Sequence, residues 1–297
     1  MRRRNQKAGD YIFDIINVAL MLFLITITGY PMLHMLFYSL SGNLIGNQLL
    51  YKPEGFSLGY YAQILSDSSI LRSFFVSAAR TVIGPLSMLA VTAPAAFVMS
   101  DKSYVFQKLF WYFFLVTMFI GGGMIPTYLL MRALGLYNNF FVYIVPGMFG
   151  VTFNLILMKT YIEQLPGELK DSARIDGANE IYIFIMITLP LITPILATIC
   201  LFSAVGHWNS WYDTMLYNAS RPELYTLQYQ LMNIINQFGS NLSIEKIEEL
   251  RKSGLLVASP AGYRSAVTFI TIIPILCVYP FLQKYFTKGL LIGSIKA

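Results

Sequence analysis

The sequence predicts an all-α membrane protein with about six transmembrane helices. Three observations predict it: the scarcity of charge, the length of the apolar runs, and the one-sided placement of basic residues on the short connections. Charged residues are 12% of the chain and hydrophobic ones 56%, with a mean hydropathy of +0.58, whereas a soluble domain carries about 25% charge. A bilayer is the solvent that suits such a chain. The 297 residues suffice for six spans of about 20 residues with their connections, so one membrane domain is expected over 1–297. Helices follow rather than barrel strands because the runs are continuously apolar, while membrane strands alternate over about 10 residues.

Span one is placed at 15–38. It follows Arg2, Arg3, Arg4 and Lys7, and the run from Ile15 to Leu40 holds no full charge. That run exceeds the apolar core of about 7–15 residues in a signal peptide, so a retained span is expected. Asp14 marks its inner boundary, and His34 is read as a hydrogen-bonded packing residue. Span two, 75–99, contains Pro85 and Pro94; Arg80 lies toward its outer half, where snorkelling to the interface is expected because Thr81–Met99 alone nearly crosses. Span three, 108–131, carries Gly121-Gly122-Gly123 and Pro126; span four, 138–158, carries Pro146. Span five, 183–206, holds Pro190 and Pro194, and span six, 263–283, holds Pro274 and Pro280. Breakers survive in a membrane where neighbouring helices or a wet cavity satisfy the freed backbone groups, which suits kinked helices around a pathway as well as ordinary tolerance.

Orientation comes from Lys and Arg on the short segments. The basic N-terminus, Lys102 and Lys108, then Lys159, Lys170 and Arg174, then Lys284, Lys288 and Lys296 all fall on one side. Both termini are therefore expected in the cytoplasm. The other side receives 39–74, a short connection at Arg132–Tyr137, and a partly helical external segment of about 207–262 that includes Glu245, Lys246, Glu248, Glu249, Arg251 and Lys252.

Composition also excludes functions. The net charge of +6 sits at topology-determining positions, which speaks against nucleic-acid binding. Cys200 and Cys277 lie in apolar runs without His or Cys at metal spacing, so neither a disulfide frame nor a metal site is expected. No Gly-x4-Gly-Lys-[Ser/Thr] loop, His-Glu-x-x-His or Gly-x-Ser-x-Gly occurs. No catalytic residue is therefore expected, and the chain is read as a non-enzyme.

The most informative segment is the coupling loop, about 161–182, between spans four and five. Pro166 and Gly167 suit a turn into a helix, Glu168 and Asp171 place acids in its first turn, and Gly177, Ala178 and Asn179 give a C-terminal stop. A short polar helix at the cytoplasmic surface between two spans is a rigid knob on which a soluble partner can push.

This stretch resembles the EAA loop of bacterial binding-protein-dependent ABC importers. Asp171-Ser172-Ala173 stands at the Glu-Ala-Ala position, Asp176-Gly177-Ala178 at the Asp-Gly-Ala core, and Ile187, Leu189 and Pro190 at the Ile-x-Leu-Pro tail. Gly122–Leu129 with Leu134-Gly135-Leu136, and Gly206-His207-Trp208-Asn209-Ser210-Trp211, resemble the carbohydrate-uptake permeases, nearest to the oligosaccharide and complex-glycan branch. The resemblance runs from about residue 12 to Ala297.

It implies a multi-pass permease of the bacterial cytoplasmic membrane, with a second, homologous permease forming a heterodimer, two ATP-binding subunits that hold ATP and Mg, and an extracytoplasmic solute-binding protein. No cofactor is expected in this chain itself. Glu168, Asp171, Ser172, Ala173, Asp176 and Gly177 are the implied ATPase-coupling residues. Sugars offer hydroxyls and flat apolar faces, so Tyr128, Asn154, Trp208, Asn209 and Trp211 have the chemistry of a substrate path. Interfacial aromatic anchoring is the other reading of the two Trp residues. The alternatives are a permease for phosphorylated glycerol or a polyamine, which calls for clustered charge in the spans, and an ion-coupled secondary transporter, which calls for acids deep in them.

Overall fold

A computed structural model describes residues 8–42, 49–149, 152–237 and 259–294. Among these no β-strand occurs; Ser41 and Phe56 form an isolated antiparallel bridge. The basic N-terminus and the charged stretch Glu245–Lys252 lie outside the described residues.

Contacts gather the chain into two units, Met1–Asp67 with Asn233–Ile272, and Ser68–Met232 with Ile273–Ala297. In the first unit, α1 (Ala8–Ser39) is exposed along the apolar stretch Tyr11–Ile27. Its C-terminal half carries a tilted aromatic row, with His34 4.7 Å from Tyr38 and 5.7 Å from Tyr30 between ring centroids, as expected of a packing histidine. In α2 (Gly59–Ser66), buried Tyr60 accepts a hydrogen bond from the Ser259 amide at 2.8 Å, and its ring occupies the space a side chain at Gly262 would need.

The second unit is built on α3 (Ser68–Ser100). Its core joins Met88 and Ala96 of α3 to Met158 and Ile162 of α7 (Thr152–Glu163), Ile183 of α9 (Glu180–Leu191), and Ile199 of α10 (Thr193–Asn209). Ser73, Ser77 and Gly84 give α3 a narrow face, and small residues let membrane helices approach closely. Ser77 Oγ accepts the Leu227 amide at 2.8 Å, fixing the start of α12 (Leu227–Gln237).

Among the described residues, the six predicted apolar runs fall mainly on helices, but not on six uninterrupted ones. Tyr11–Ser39, Ser68–Ser100 and Pro260–Cys277 are each long and apolar enough to cross a membrane. The other three are bent pairs: α4 (Gln107–Phe119) with α5 (Met124–Ala133) at 116°, Phe140–Phe149 with α7 at 46°, and α9 with α10 at 76°. The middle pair begins with a 3-10 turn, Phe140–Tyr143, followed by α6 (Val145–Phe149). The first break coincides with Gly121–Gly123 and the third falls just before Pro194, while Pro146 lies inside α6, ahead of the bend after Phe149. Likewise, Pro85 and Pro94 stay inside α3, and Pro274 and Pro280 inside α13 (Pro260–Ser294). α9 is wound as a π-helix over Ile183–Thr188, which ends two residues before Pro190.

The expected external segment begins within α10, which ends at Asn209 and so includes Trp208. It continues through α11 (Tyr212–Tyr217), a 3-10 turn at Pro222–Leu224, and α12. The loop helix forms as α8 (Glu168–Ile175).

Candidate functional site

The second unit concentrates polar chemistry at two places. At the first, α8 carries Glu168 and Asp171 in its first turn and Arg174 in its last, an arrangement that suits the helix dipole. It closes with paired bonds, Ala178 N–H to the Ala173 carbonyl at 2.9 Å and Gly177 N–H to the Arg174 carbonyl at 3.1 Å. Gly177 sits at φ +80°, the left-handed geometry this closure requires and glycine adopts freely. Asn179 then starts α9, its Oδ1 accepting the Tyr182 amide at 2.8 Å.

Ala173 and Ala178 pack on the core. Asp171, Asp176 and Ile175 face outward, Ile175 at 87% exposure. Ser172, at the position of the family's alanine, donates its hydroxyl to the Glu168 carbonyl at 2.7 Å, so its polar atom turns back onto its own helix. Beside the closure lies a concavity of about 550 Å³ walled by Asp176, Gly177, Asn179, Tyr182 and Met186 among others.

Arg174 ties this segment together. Its Nη2 donates to Asp101 Oδ2 at 2.6 Å and its Nε to Glu180 Oε1 at 2.8 Å, while Nη1 lies 3.8 Å from Asp171. It therefore links α8 to α9 and to the turn after α3. The Ser103 hydroxyl, donating at 2.6 Å, holds the Asp101 carboxyl down to about 2, with the Ser103 amide and Arg174 adding to it. Hydrogen bonding to Glu180 and then Asp101 holds the Arg174 guanidinium above its ordinary range. Lys170 lies 5.0 Å over the Phe97 ring and donates to Ser100 at 3.4 Å; burial lowers its pKa.

At the second place, Arg80 does not snorkel. It is 2% exposed, its Nη1 donating to Asp213 Oδ1 at 3.1 Å and its Nη2 to Asp213 Oδ2 at 2.5 Å, with the guanidinium carbon 4.4 Å from the Tyr143 ring centroid. A carboxylate brought back by the first turn of α11 makes burial cheaper than reaching for water. Asp213 is itself oriented by the Ser210 hydroxyl and the Thr214 amide, both donating to Oδ1 at 2.9 Å. His207 of α10 nests between Gly84 and Gly147; a side chain at Gly84 would come within 2.3 Å of its Nε2. These groups border a cavity of about 340 Å³ with Thr127, Tyr143, Ser203 and Tyr217 in its wall.

None of the predicted path residues lines this cavity. Tyr128 stacks on Tyr217 at 5.9 Å, and Asn154 Nδ2 donates to Met88 Sδ at 3.8 Å. Trp208 is 6% exposed, edge-on to Phe74 at 5.9 Å in an apolar groove. Asn209 Oδ1 accepts from Gln228 at 3.2 Å, and Trp211 meets Tyr212 edge-on. The wall is made by their neighbours: Thr127 beside Tyr128, and His207 and Ser210 beside Trp208 and Asn209. Arg80, Asp213 and His207 were not selected from sequence, although His207 lies inside the Gly206–Trp211 motif.

Apolar helices interrupted at three points, a polar cavity among them and a polar knob between two of them are the parts of a membrane transport subunit. The chain belongs to the family of binding-protein-dependent transport system inner membrane components, whose model matches residues 55–292. It is a permease subunit of a binding-protein-dependent ABC importer. It is 35% identical to protein LplC of Bacillus subtilis, over 98% of this chain and 97% of that one. It is 32% identical to the polygalacturonan/rhamnogalacturonan transport system permease protein YtcP of the same organism, over 96% and 98%. Among solved structures, a chain of a bacterial ABC transporter that imports the acidic polysaccharide alginate superposes with a TM-score of 0.85 at 30% identity, covering 95% of this chain and 99% of that one.

Proposed function

We propose that this chain moves an oligosaccharide across the bacterial cytoplasmic membrane by alternating access, as one six-span permease domain with both termini in the cytoplasm. Each bent pair then counts as one span. A second, homologous permease completes the pathway, a solute-binding protein delivers cargo from outside, and two cytoplasmic subunits hold ATP and Mg. α8 is the coupling helix. Asp176 and Gly177 meet the ATPase cleft, with Glu168, Asp171, Ser172 and Ala173 shaping and seating the helix.

The observation that carries this reading is the exposed Ile175 at the tip of a helix seated by Ala173 and Ala178 and clasped by Arg174. A large apolar side chain left 87% exposed beside a concavity is suited to entering a partner's cleft. Relatives named for polygalacturonan and alginate support a glycan cargo. Asp213 neutralises Arg80, the charge buried in α3, so this cavity carries no clustered net charge of the kind a phosphorylated glycerol or a polyamine calls for.

The test is purification of the tagged chain with its partners, followed by an ATPase assay with loaded binding protein and uptake in liposomes. Gly177→Val is expected to insert normally, because φ +80° strains any side chain without touching the spans, and to abolish uptake. Normal uptake by this variant would sink the coupling role; transport by the lone chain without ATP would sink the importer itself.

A further inference from the structure

We infer that the cavity beside Arg80 is a sugar subsite carried by this chain itself, taking one sugar unit of the cargo through its hydroxyls rather than through a carboxylate. The inference rests on the oligosaccharide reading above and adds where, and by what chemistry, this subunit touches the cargo.

A buried charge in a membrane span is expensive and marks function unless its partners satisfy it fully. Arg80 and Asp213 satisfy each other only in part. Arg80 is 2% exposed and its Nε is buried without a hydrogen-bond partner; His207 Nδ1, on the same cavity, is also buried without one. The Asp213 side chain keeps 23% exposure, and its Oδ2 takes the Arg80 Nη2 bond alone. The site therefore offers a spare donor, an imidazole nitrogen and a carboxylate with spare acceptor capacity. A hydroxyl both donates and accepts, so adjacent sugar hydroxyls can accept from Arg80 and donate to Asp213 together.

Charge decides against a carboxylate. The two-point face of Arg80 that a uronate would seek is already filled by Asp213, and an incoming anion would stand against that carboxylate. Tyr143 and Tyr217 stand in the wall, but Tyr143 has one face under Arg80 and Tyr217 one face on Tyr128, so each leaves at most one ring face for a sugar. The volume, about 340 Å³, is at the lower end of the roughly 300–1,000 Å³ of small-molecule sites and suits a single unit rather than a chain.

The experiment uses the full complex, both permeases with ATPase subunits and binding protein, in lipid nanodiscs under ATP and vanadate. Diazirine-tagged galacto-oligosaccharides and oligogalacturonides serve as probes, and the member that stimulates ATP hydrolysis is photolysed and its adducts mapped. Adducts are expected on the Thr127–Gly147 or Ser203–Tyr217 peptides of this chain. Ser203→Phe, which fills the cavity, should reduce them by about tenfold in assembled complex. For an acidic probe, carboxyl reduction should leave labelling at these peptides within about twofold. Labelling confined to the second permease, or lost with the carboxylates, overturns the subsite while the sugar importer stands. Failure of every glycan to stimulate hydrolysis overturns the cargo reading, and the subsite with it.

Discussion

Gly84 is small because His207 occupies the space beside it. A methyl placed there would lie 2.3 Å from Nε2, so Gly84→Ala must push the imidazole off its seat or move α10 from α3. Overpacking of this kind costs about 1–3 kcal/mol, and thermal unfolding in detergent should show it. Gly206→Ala, with nothing within 4 Å, should be near neutral in the same assay. Asp101 yields a prediction in pH. Its folded pKa is lowered, to about 2 from 3.8, so its stabilising contribution is complete above the unfolded value and is lost as pH falls through the folded one. Solvent screening at this surface position holds that contribution to about 1 kcal/mol or less. Asp101→Asn should therefore melt below the parent at about pH 5, and the difference should shrink as pH falls toward 2 and vanish below it. Residues of this kind differ in how far sequence can expose them. Gly177 is legible because its role is local: a short polar helix with glycine after it calls for a left-handed stop. Arg80 is not, because its partner lies 133 positions away in a segment read as an external loop. An isolated arginine in an apolar run gives no sign of whether it reaches water or an acid.

The helices show the same division between local and distant causes. Gly121–Gly123 signals a break, and α4 does end before it, but the 116° turn into α5 depends on packing that the glycine run does not encode. Pro85, Pro94, Pro274 and Pro280 signal breaks equally well, yet α3 and α13 run through them. Proline removes one amide and strains one turn, and neighbouring helices can hold the remainder in line. The α4–α5 corner turns on Gly123, at φ +82° and ψ 175°, a region open essentially to glycine alone. No atom lies within 4 Å of a side chain built there, so the cost of Gly123→Ala is conformational. That substitution should destabilise by about 1–3 kcal/mol in thermal unfolding, whereas Gly121→Ala, in equally open space at an ordinary φ, should not.

At the scale of the whole molecule, the proposed coupling role requires that a push on α8 reach the proposed sugar subsite. Two routes leave α8. One is covalent, through α7 and α9; the other passes from Arg174 to Asp101 at the end of α3, whose Arg80 borders the cavity. At 1.5 Å per residue, the stretch of α3 from Arg80 to Ser100 is a rod of about 30 Å, long enough to link the two places with few soft joints. Arg174→Ala cuts the second route and leaves the Ala173–Ala178 seat and the Gly177 stop in place. The complex should still assemble and still hydrolyse ATP when loaded binding protein arrives, while sugar moved per ATP falls by about tenfold, within the usual range of coupling energies. Arg174→Lys, one point of charge in place of a fork, should fall between the two. The measurement is uptake and hydrolysis on the same liposomes. If both fall in proportion, Arg174 does no more than shape α8 for its partner; a fall in their ratio means that α3 carries part of the stroke.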